Sequence, residues 1–244
     1  MKFARMYIDE VRRLVDAVEE KQSGNIEKAS ELVADALCSG GFVFTFGSGH
    51  SHILAEEIFY RAGGLARVCP IFDDALMLHR GAAMSSQLER ASGISKLLLE
   101  DTDAVECGGV MFIFSNSGCN TVAVEMAEES AKRGLKTVCI TNLTHSAISK
   151  SRHPEGKKLC QVCDVVIDNM GCYGDAAINI DGTVTGATST AIGAMILQAV
   201  VCGAIEICKA RGVSPEVFQS ANTAGGDDAN EKYIKEYKKQ VRAL

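Results

Sequence analysis

Residues 115–120, S-N-S-G-C-N, constrain this chain more than any other stretch, because of what flanks them. Before them runs G-V-M-F-I-F at 109–114, a short continuous apolar run that suits a fully buried strand. After them runs T-V-A-V-E-M-A-E-E-S-A-K-R at 121–133, which reads as a helix. A strand, a tight hydroxyl-rich turn and a helix N-terminus together bind oxyanions. The first N–H groups of the helix lack internal partners, and its dipole places partial positive charge there. Ser115, Ser117, Asn120 and Thr121 add side-chain donors, Asn116 lies within the turn, and Gly118 lets the backbone approach a ligand closely. One capping residue would be enough to start a helix. Three donor side chains and a glycine within the turn exceed that need, so the sequence points to anion binding.

A second junction of the same kind lies upstream. F-V-F-T-F at 42–46 is another buried-strand run, followed by G-S-G-H-S-H at 47–52 and a helical pattern to about residue 62. Around these two junctions the chain reads as alternating strands and helices. Two helices, 2–21 and 26–38, precede the first strand, with Ser23-Gly24-Asn25 as the break between them. Further strands are expected at 66–71, 136–141 and 164–168, with Pro70 near the end of the first of these. Residues 73–89 are mixed, and 93–99 suit a short helix. A polar loop or short helix spans 142–158, and a Gly- and Asp-rich loop spans 169–185. A long apolar helix covers 188–211, opening on the hydroxyl cluster Thr188, Ser189 and Thr190. Pro215 begins a short helix, residues 224–226 form a glycine hinge, and 227–241 a charged helix. Strands alternating with helices imply a doubly wound α/β domain with a largely parallel sheet. Ligands of such sheets bind beyond the carboxyl ends of the strands, where both turns lie. The expected organisation is N-terminal helices over 1–38, a central domain over 39–212 and a helical tail over 213–244, forming one structural unit.

The chain has 244 residues, enough for a substantial core, and a net charge of −6. No basic stripe with interleaved aromatics is present, so nucleic acid is not an expected partner. The most apolar region, 191–208, is interrupted by Gln198, Gly203 and Glu206, so no membrane partner is expected. The start, M-K-F-A-R-M-Y-I-D-E, reads as an amphipathic helix rather than a signal peptide. Of ten cysteines, Cys38, Cys69, Cys107, Cys139 and Cys202 sit in or beside apolar segments, where cysteine acts as a small hydrophobe. Only Cys160 and Cys163 form a C-x-x-C, without the second pair that a zinc ribbon requires. The reading is a reduced, cytoplasmic protein.

The S-N-S-G-x-N turn, the earlier G-S-G-x-S turn and a T-S-T helix start, in that order, resemble the sugar isomerase (SIS) domain over roughly residues 30–211. More narrowly, G-S-G-H-S-H-I-L-A-E-E-I-F-Y-R-A-G-G and S-A-N-T-A-G-G-D-D-A-N resemble a bacterial subgroup labelled phosphoheptose isomerase or sugar isomerase domain protein. The resemblance implies a three-layer αβα sandwich with a mainly parallel, five-stranded, flavodoxin-like sheet, usually in a homodimer or homotetramer. It implies a phosphorylated sugar as ligand, with phosphate at Ser115, Ser117 and Asn120. Gly47, Ser48, Gly49, His50, Ser51, His52, Asn116, Gly118 and Thr188 to Thr190 complete the expected substrate-binding set. Fold alone does not fix the chemistry, since SIS domains serve as isomerases, as lyases of the amino-sugar ether type and as sensors.

Aldose–ketose isomerisation needs a base near C1 and C2 and a donor to the carbonyl. Elimination of an ether needs a similar base and an acid for the leaving group. His50, Glu57 and Arg61 share roughly one helical face, and His52 and Glu56 stand four residues apart on another, a spacing that can serve a divalent metal. No cofactor is otherwise expected. The glutamate that the family places fourteen residues after Gly47 is Arg61 here, and Glu57 stands where metal-binding phosphoheptose isomerases carry a histidine. Neither the family's base nor its metal pair therefore carries over directly, and of the acids that follow the first turn Glu57 is the expected base, with Glu89 or His79 as its acid partner. The alternative roles of Glu57 and His52 are an ion pair with Arg61 and a hydrogen bond to Glu56. The resemblance further implies a C-terminal segment that enters a neighbouring subunit's site, with Asn222, Asp227 and Asn230 as candidates to close it.

Overall fold

In the computed structural model, which describes all residues Met1–Leu244, five parallel strands stand in one sheet. They are β1 (Phe42–Gly47), β2 (Val68–Pro70), β3 (Gly109–Phe114), β4 (Lys136–Thr141) and β5 (Val165–Asp168), in the order β2-β1-β3-β4-β5. Helices cover both faces, which gives the three-layer αβα sandwich. Side chains alternate across the sheet, as the pleat requires. Val43, Val110, Phe112, Val138 and Ile167 face one core with the helices α1 (Lys2–Cys38), α2 (His52–Glu57) and α7 (Ser189–Ala210). Phe42, Phe44, Phe46, Met111 and Ile113 face the other, against α4 (Ile94–Glu100), α5 (Thr121–Lys132) and α8 (Gly226–Tyr237). Two shorter helices, α3 (Ala82–Leu88) and α6 (Leu143–Ile148), lie along the connections.

Several expected boundaries are corrected. The N-terminal segment is one helix of 37 residues, not two. A mid-helix glycine costs only about 1 kcal/mol relative to alanine. Leu14 and Val18 before Gly24, and Ala29 and Val33 after it, are all buried in one core with α7, so packing overrides the local break. Ser23 Oγ donates back to the Glu19 carbonyl, and Asn25 Nδ2 to Gln22 Oε1 at 3.0 Å, so the polar residues fold into the helix surface. The α2 helix is only six residues long. Beyond it Tyr60 takes φ 46° and the chain turns away. Residues from Pro215 are extended rather than helical, with Val217 bridging antiparallel to Leu65. Ala66 N donates to Glu216 O at 2.9 Å and Phe218 N to Gly64 O at 2.9 Å, so this segment satisfies backbone beside β2.

The expected loop at 169–185 contains a hairpin of β6 (Ala176–Ile180) and β7 (Thr183–Ala187). Its turn, Asp181-Gly182, has both residues at positive φ, 49° and 93°, as a type I′ turn requires. The Asp-Gly pair was the signal for it. The α7 helix has the length and composition to cross a membrane. Here Ile192, Ile196, Leu197 and Val200 are buried in the core beside α1, which accounts for their apolar character. Cys69 and Cys139 are buried as expected of small hydrophobes, but Cys38, Cys107 and Cys202 are exposed.

Candidate functional site

The two turns singled out in the sequence leave adjacent strands at the same level, since Gly47 pairs with Phe114 across β1 and β3. The connection from β1 runs outward to β2, and that from β3 runs the opposite way to β4. That reversal makes a topological switch point, where a crevice opens beyond the strand ends. A cavity of about 440 Å³ occupies it. Its wall is mostly polar: of 20 lining residues only four are hydrophobic.

The Ser115–Asn120 turn forms one side. Ser115, Asn116, Ser117 and Asn120 all line the cavity. Gly118 takes φ 61°, which only glycine adopts freely, and its N–H turns back onto the Ser115 carbonyl at 3.2 Å. The N–H groups of Ser117, Asn120 and Thr121 have no hydrogen-bond partner in the chain, and they stand at the start of the 12-residue α5. Neighbouring strands hold the turn rigid. Asn116 O accepts from Asn142 N at 3.0 Å, and Asn116 Oδ1 accepts from Asn169 Nδ2 at 2.8 Å. A clip that the sequence reading missed comes from Arg152. Its N–H donates to Cys119 O at 2.8 Å, its carbonyl accepts from Thr121 Oγ1 at 2.9 Å, and its Nη1 donates to Asn120 Oδ1 at 2.7 Å. The Asn120 amide therefore has its oxygen engaged and its NH2 free.

Ser48, Gly49, His50 and Ser51 form the facing wall. Gly47 does not line it; its place is structural, since a Cβ there would strike the Ser51 carbonyl. His52 is also outside, with Nδ1 against the Gly49 carbonyl and Nε2 3.7 Å from Glu56. That pair has no third ligand, and no group of three or more His, Cys, Asp or Glu side chains is arranged to hold a metal ion.

The three expected catalytic residues separate. Glu57 lies off the cavity, paired with Arg61 and accepting from Gln198 Nε2 at 3.1 Å. His79 is outside as well, half exposed and 3.6 Å from Asp74. Glu89 lines the cavity. Its Oε2 accepts from Ser48 Oγ at 3.0 Å, and its backbone carbonyl accepts from Val122 N, in the first turn of α5, at 3.2 Å. The residue is thus tied to both turns at once. In the tail, Asn230 is engaged with the Gln219 backbone, and neither it nor Asn222 or Asp227 reaches this cavity.

The hydroxyl cluster at the start of α7 is held by a carboxylate that the sequence reading did not single out. Asp175 accepts from Thr188 N at 3.1 Å, Ser189 N at 2.8 Å and Ser189 Oγ at 2.6 Å. A carboxylate from within the chain thereby caps this helix dipole. Ser189 and Thr190 still line the cavity, while Thr188 is buried behind them. Loss of that cap in Asp175→Ala is expected to lower unfolding stability by about 2 kcal/mol. Asp175 has φ 66°, so Asn, which tolerates this region, should recover part of the loss. Urea titration would read it, and an unchanged midpoint would show that the cap contributes nothing. Glu89 and Asp175 are the only carboxylates lining the cavity, and no Lys or Arg lines it. The other additions are His145, Asn169, Ser85 and Ser86, brought from distant segments with no local pattern that marks them.

An α/β sandwich of this strand order, with a hydroxyl-rich turn at its switch point, defines a class, and comparison with known proteins specifies it. The SIS domain family profile matches residues 6–142, and the chain belongs to that family. Its full-length relatives include a UPF0309 protein of Geobacillus thermodenitrificans, 40% identical over 240 residues, spanning 98% of this chain and 96% of its own. Another, from Halalkalibacterium halodurans, is 44% identical over 229 residues, spanning 93% and 94%. Similar solved structures include a phosphoheptose isomerase from Neisseria gonorrhoeae, with TM-score 0.55 at 14% identity, covering 83% of this chain and 97% of that one. The Vibrio vulnificus NanR protein complexed with ManNAc-6P matches with TM-score 0.50 at 15% identity, covering 96% and 68%.

Proposed function

We propose that this protein binds a phosphorylated sugar in the switch-point cavity and interconverts its aldose and ketose forms. The carrying observation is the pairing, in one polar cavity, of unpartnered amides at the start of α5 with one carboxylate that keeps an oxygen free, Glu89. The phosphate sits on the Ser115, Ser117 and Asn120 turn, where N–H groups and hydroxyls replace its hydration without a cation in the wall. Asp175 is spent on α7, so Glu89 is the base. Its Oε2 is held by Ser48, which orients the carboxylate while Oε1 stays free for a proton. The fold neighbours support this ligand class: some are phosphoheptose isomerases, and one was solved with ManNAc-6P.

The test is incubation in D2O with a panel of sugar phosphates, following C2–H by proton NMR. Exchange with formation of the isomeric sugar is the expected result. Release of an ether substituent would replace isomerisation by elimination, and binding without exchange would make the protein a sensor. Ser117→Ala is expected to weaken phosphate-dependent binding about 10–100-fold, as befits one or two lost hydrogen bonds to an anion, without unfolding the chain. Calorimetric affinity equal to wild type would remove Ser117 from the phosphate site.

A further inference from the structure

We infer that His145 is a second catalytic residue, a neutral imidazole whose Nε2–H donates to the substrate carbonyl oxygen while Glu89 takes the carbon-bound proton. This rests on the isomerase reading above and adds the electrophile that the reading lacks. His145 lines the cavity. It sits in the first turn of α6, directly after β4, and Asn142 Oδ1 fixes that turn by accepting from His145 N at 2.7 Å. Glu89 is tied to Ser48, beyond β1. In the sheet β3 lies between β1 and β4, so the base and the imidazole flank the phosphate turn from opposite sides.

The ring's hydrogen bonding selects its tautomer. Gly174 N donates to His145 Nδ1 at 3.3 Å, so Nδ1 is an acceptor and the proton resides on Nε2. The Tyr173 ring packs beside it with centroids 4.9 Å apart, which limits its rotation. Asp175 is the charged group that acts on it; its pull is smaller than the opposing effect of burial, which holds the imidazole below its ordinary pKa. No carboxylate is hydrogen-bonded to the ring. The other imidazole of the wall, His50, is exposed to solvent. A neutral imidazole is the better electrophile here, because it donates to a developing enediolate without first losing a proton to Glu89.

Glu89 accepts the proton from C2 of the aldose. The C–H electron pair becomes the C1–C2 double bond, and the C1 carbonyl pair moves onto O1, which accepts the Nε2–H hydrogen bond. Glu89 then returns the proton to C1, the O2 proton passes to O1, and the carbonyl re-forms at C2.

Nitrogen-15 NMR of the histidine side chains, assigned with His145→Gln, tests this directly. The free protein should show the Nε2–H tautomer. A phosphorylated aldonohydroxamate, which resembles the enediolate, should move the His145 Nε2 resonance together with the amides of Ser117 and Asn120. His145→Ala should lower kcat about 100–1,000-fold with KM nearly unchanged, and His145→Gln, which keeps a donor, should recover part of it. Movement of the Ser117 and Asn120 amides without His145, or a loss confined to KM, would overturn the assignment. If those amides do not move either, the phosphosugar reading itself falls, and this inference with it.

Discussion

Glu89→Gln is expected to reduce C2–H exchange by about 100–10,000-fold, the usual contribution of a positioned base, while leaving affinity for the sugar phosphate intact. Gln preserves the shape and still accepts the Ser48 hydroxyl, so the turn at 48–51 keeps its support. What it loses is the capacity to bind a proton. Binding and chemistry therefore separate: kcat falls and KM stays close to wild type. The companion measurement is Glu57→Gln, the base that the sequence favoured. Its carboxylate is engaged by Arg61 and Gln198 away from the cavity, so exchange should persist. The opposite pattern, with Glu57 essential and Glu89 dispensable, would return the chemistry to α2 and remove the mechanism described here.

The largest expected loss of stability is in Gly109→Ala. Gly109 opens β3 at φ 144°, pairs with Phe42 in register, and a Cβ there would be driven into the Phe42 carbonyl oxygen. Two penalties combine: backbone strain of about 1–3 kcal/mol and overpacking of similar size. A total near 4 kcal/mol is a large part of the roughly 5–15 kcal/mol that holds a domain together. For a chain of this size it corresponds to a fall in Tm of about 8–16 °C. Gly134→Ala is the control. It too has positive φ, at 79°, but a Cβ there would meet nothing within 4 Å. Only the backbone penalty remains, so its Tm should fall much less. Equal shifts for both in calorimetry would mean that β1 and β3 separate easily enough to absorb the clash. The site would then rest on a softer sheet than its burial implies.

The strands β3 and β4 and both anion-turn junctions were legible in the chain because each is a local pattern. A run of apolar residues has the length of a buried strand, and hydroxyls and glycine mark the turn after it. Both features are set by neighbours in sequence. The parallel, doubly wound sheet, and the edge at which a cavity opens, followed from the alternation of such units. The break expected at Gly24 was also a local argument, and it failed because the burial of Leu14, Val18, Ala29 and Val33 against α7 outweighs one glycine. The hairpin at 176–187 was missed although its Asp-Gly turn was in view, because the stretch reads as polar and glycine-rich throughout.

The side chains of the cavity wall were the least legible. Helical spacing after the first turn favoured Glu57, but spacing ranks only residues that share a helix, and α2 ends at Glu57. Glu89 is 41 residues from Ser48 and His145 is 29 from Gly174, and no periodicity relates such pairs. The same holds for Arg152, 32 residues beyond the Asn120 side chain that it holds. What the sequence by itself determined was the fold class, the hydroxyl-rich turns and the edge of the sheet where the cavity opens. Only the tertiary structure decided which carboxylate lines the cavity beside Ser48 and which is consumed in capping α7. Backbone geometry is written in short-range pattern, whereas a site is assembled from side chains that only the packed sheet brings within hydrogen-bonding distance.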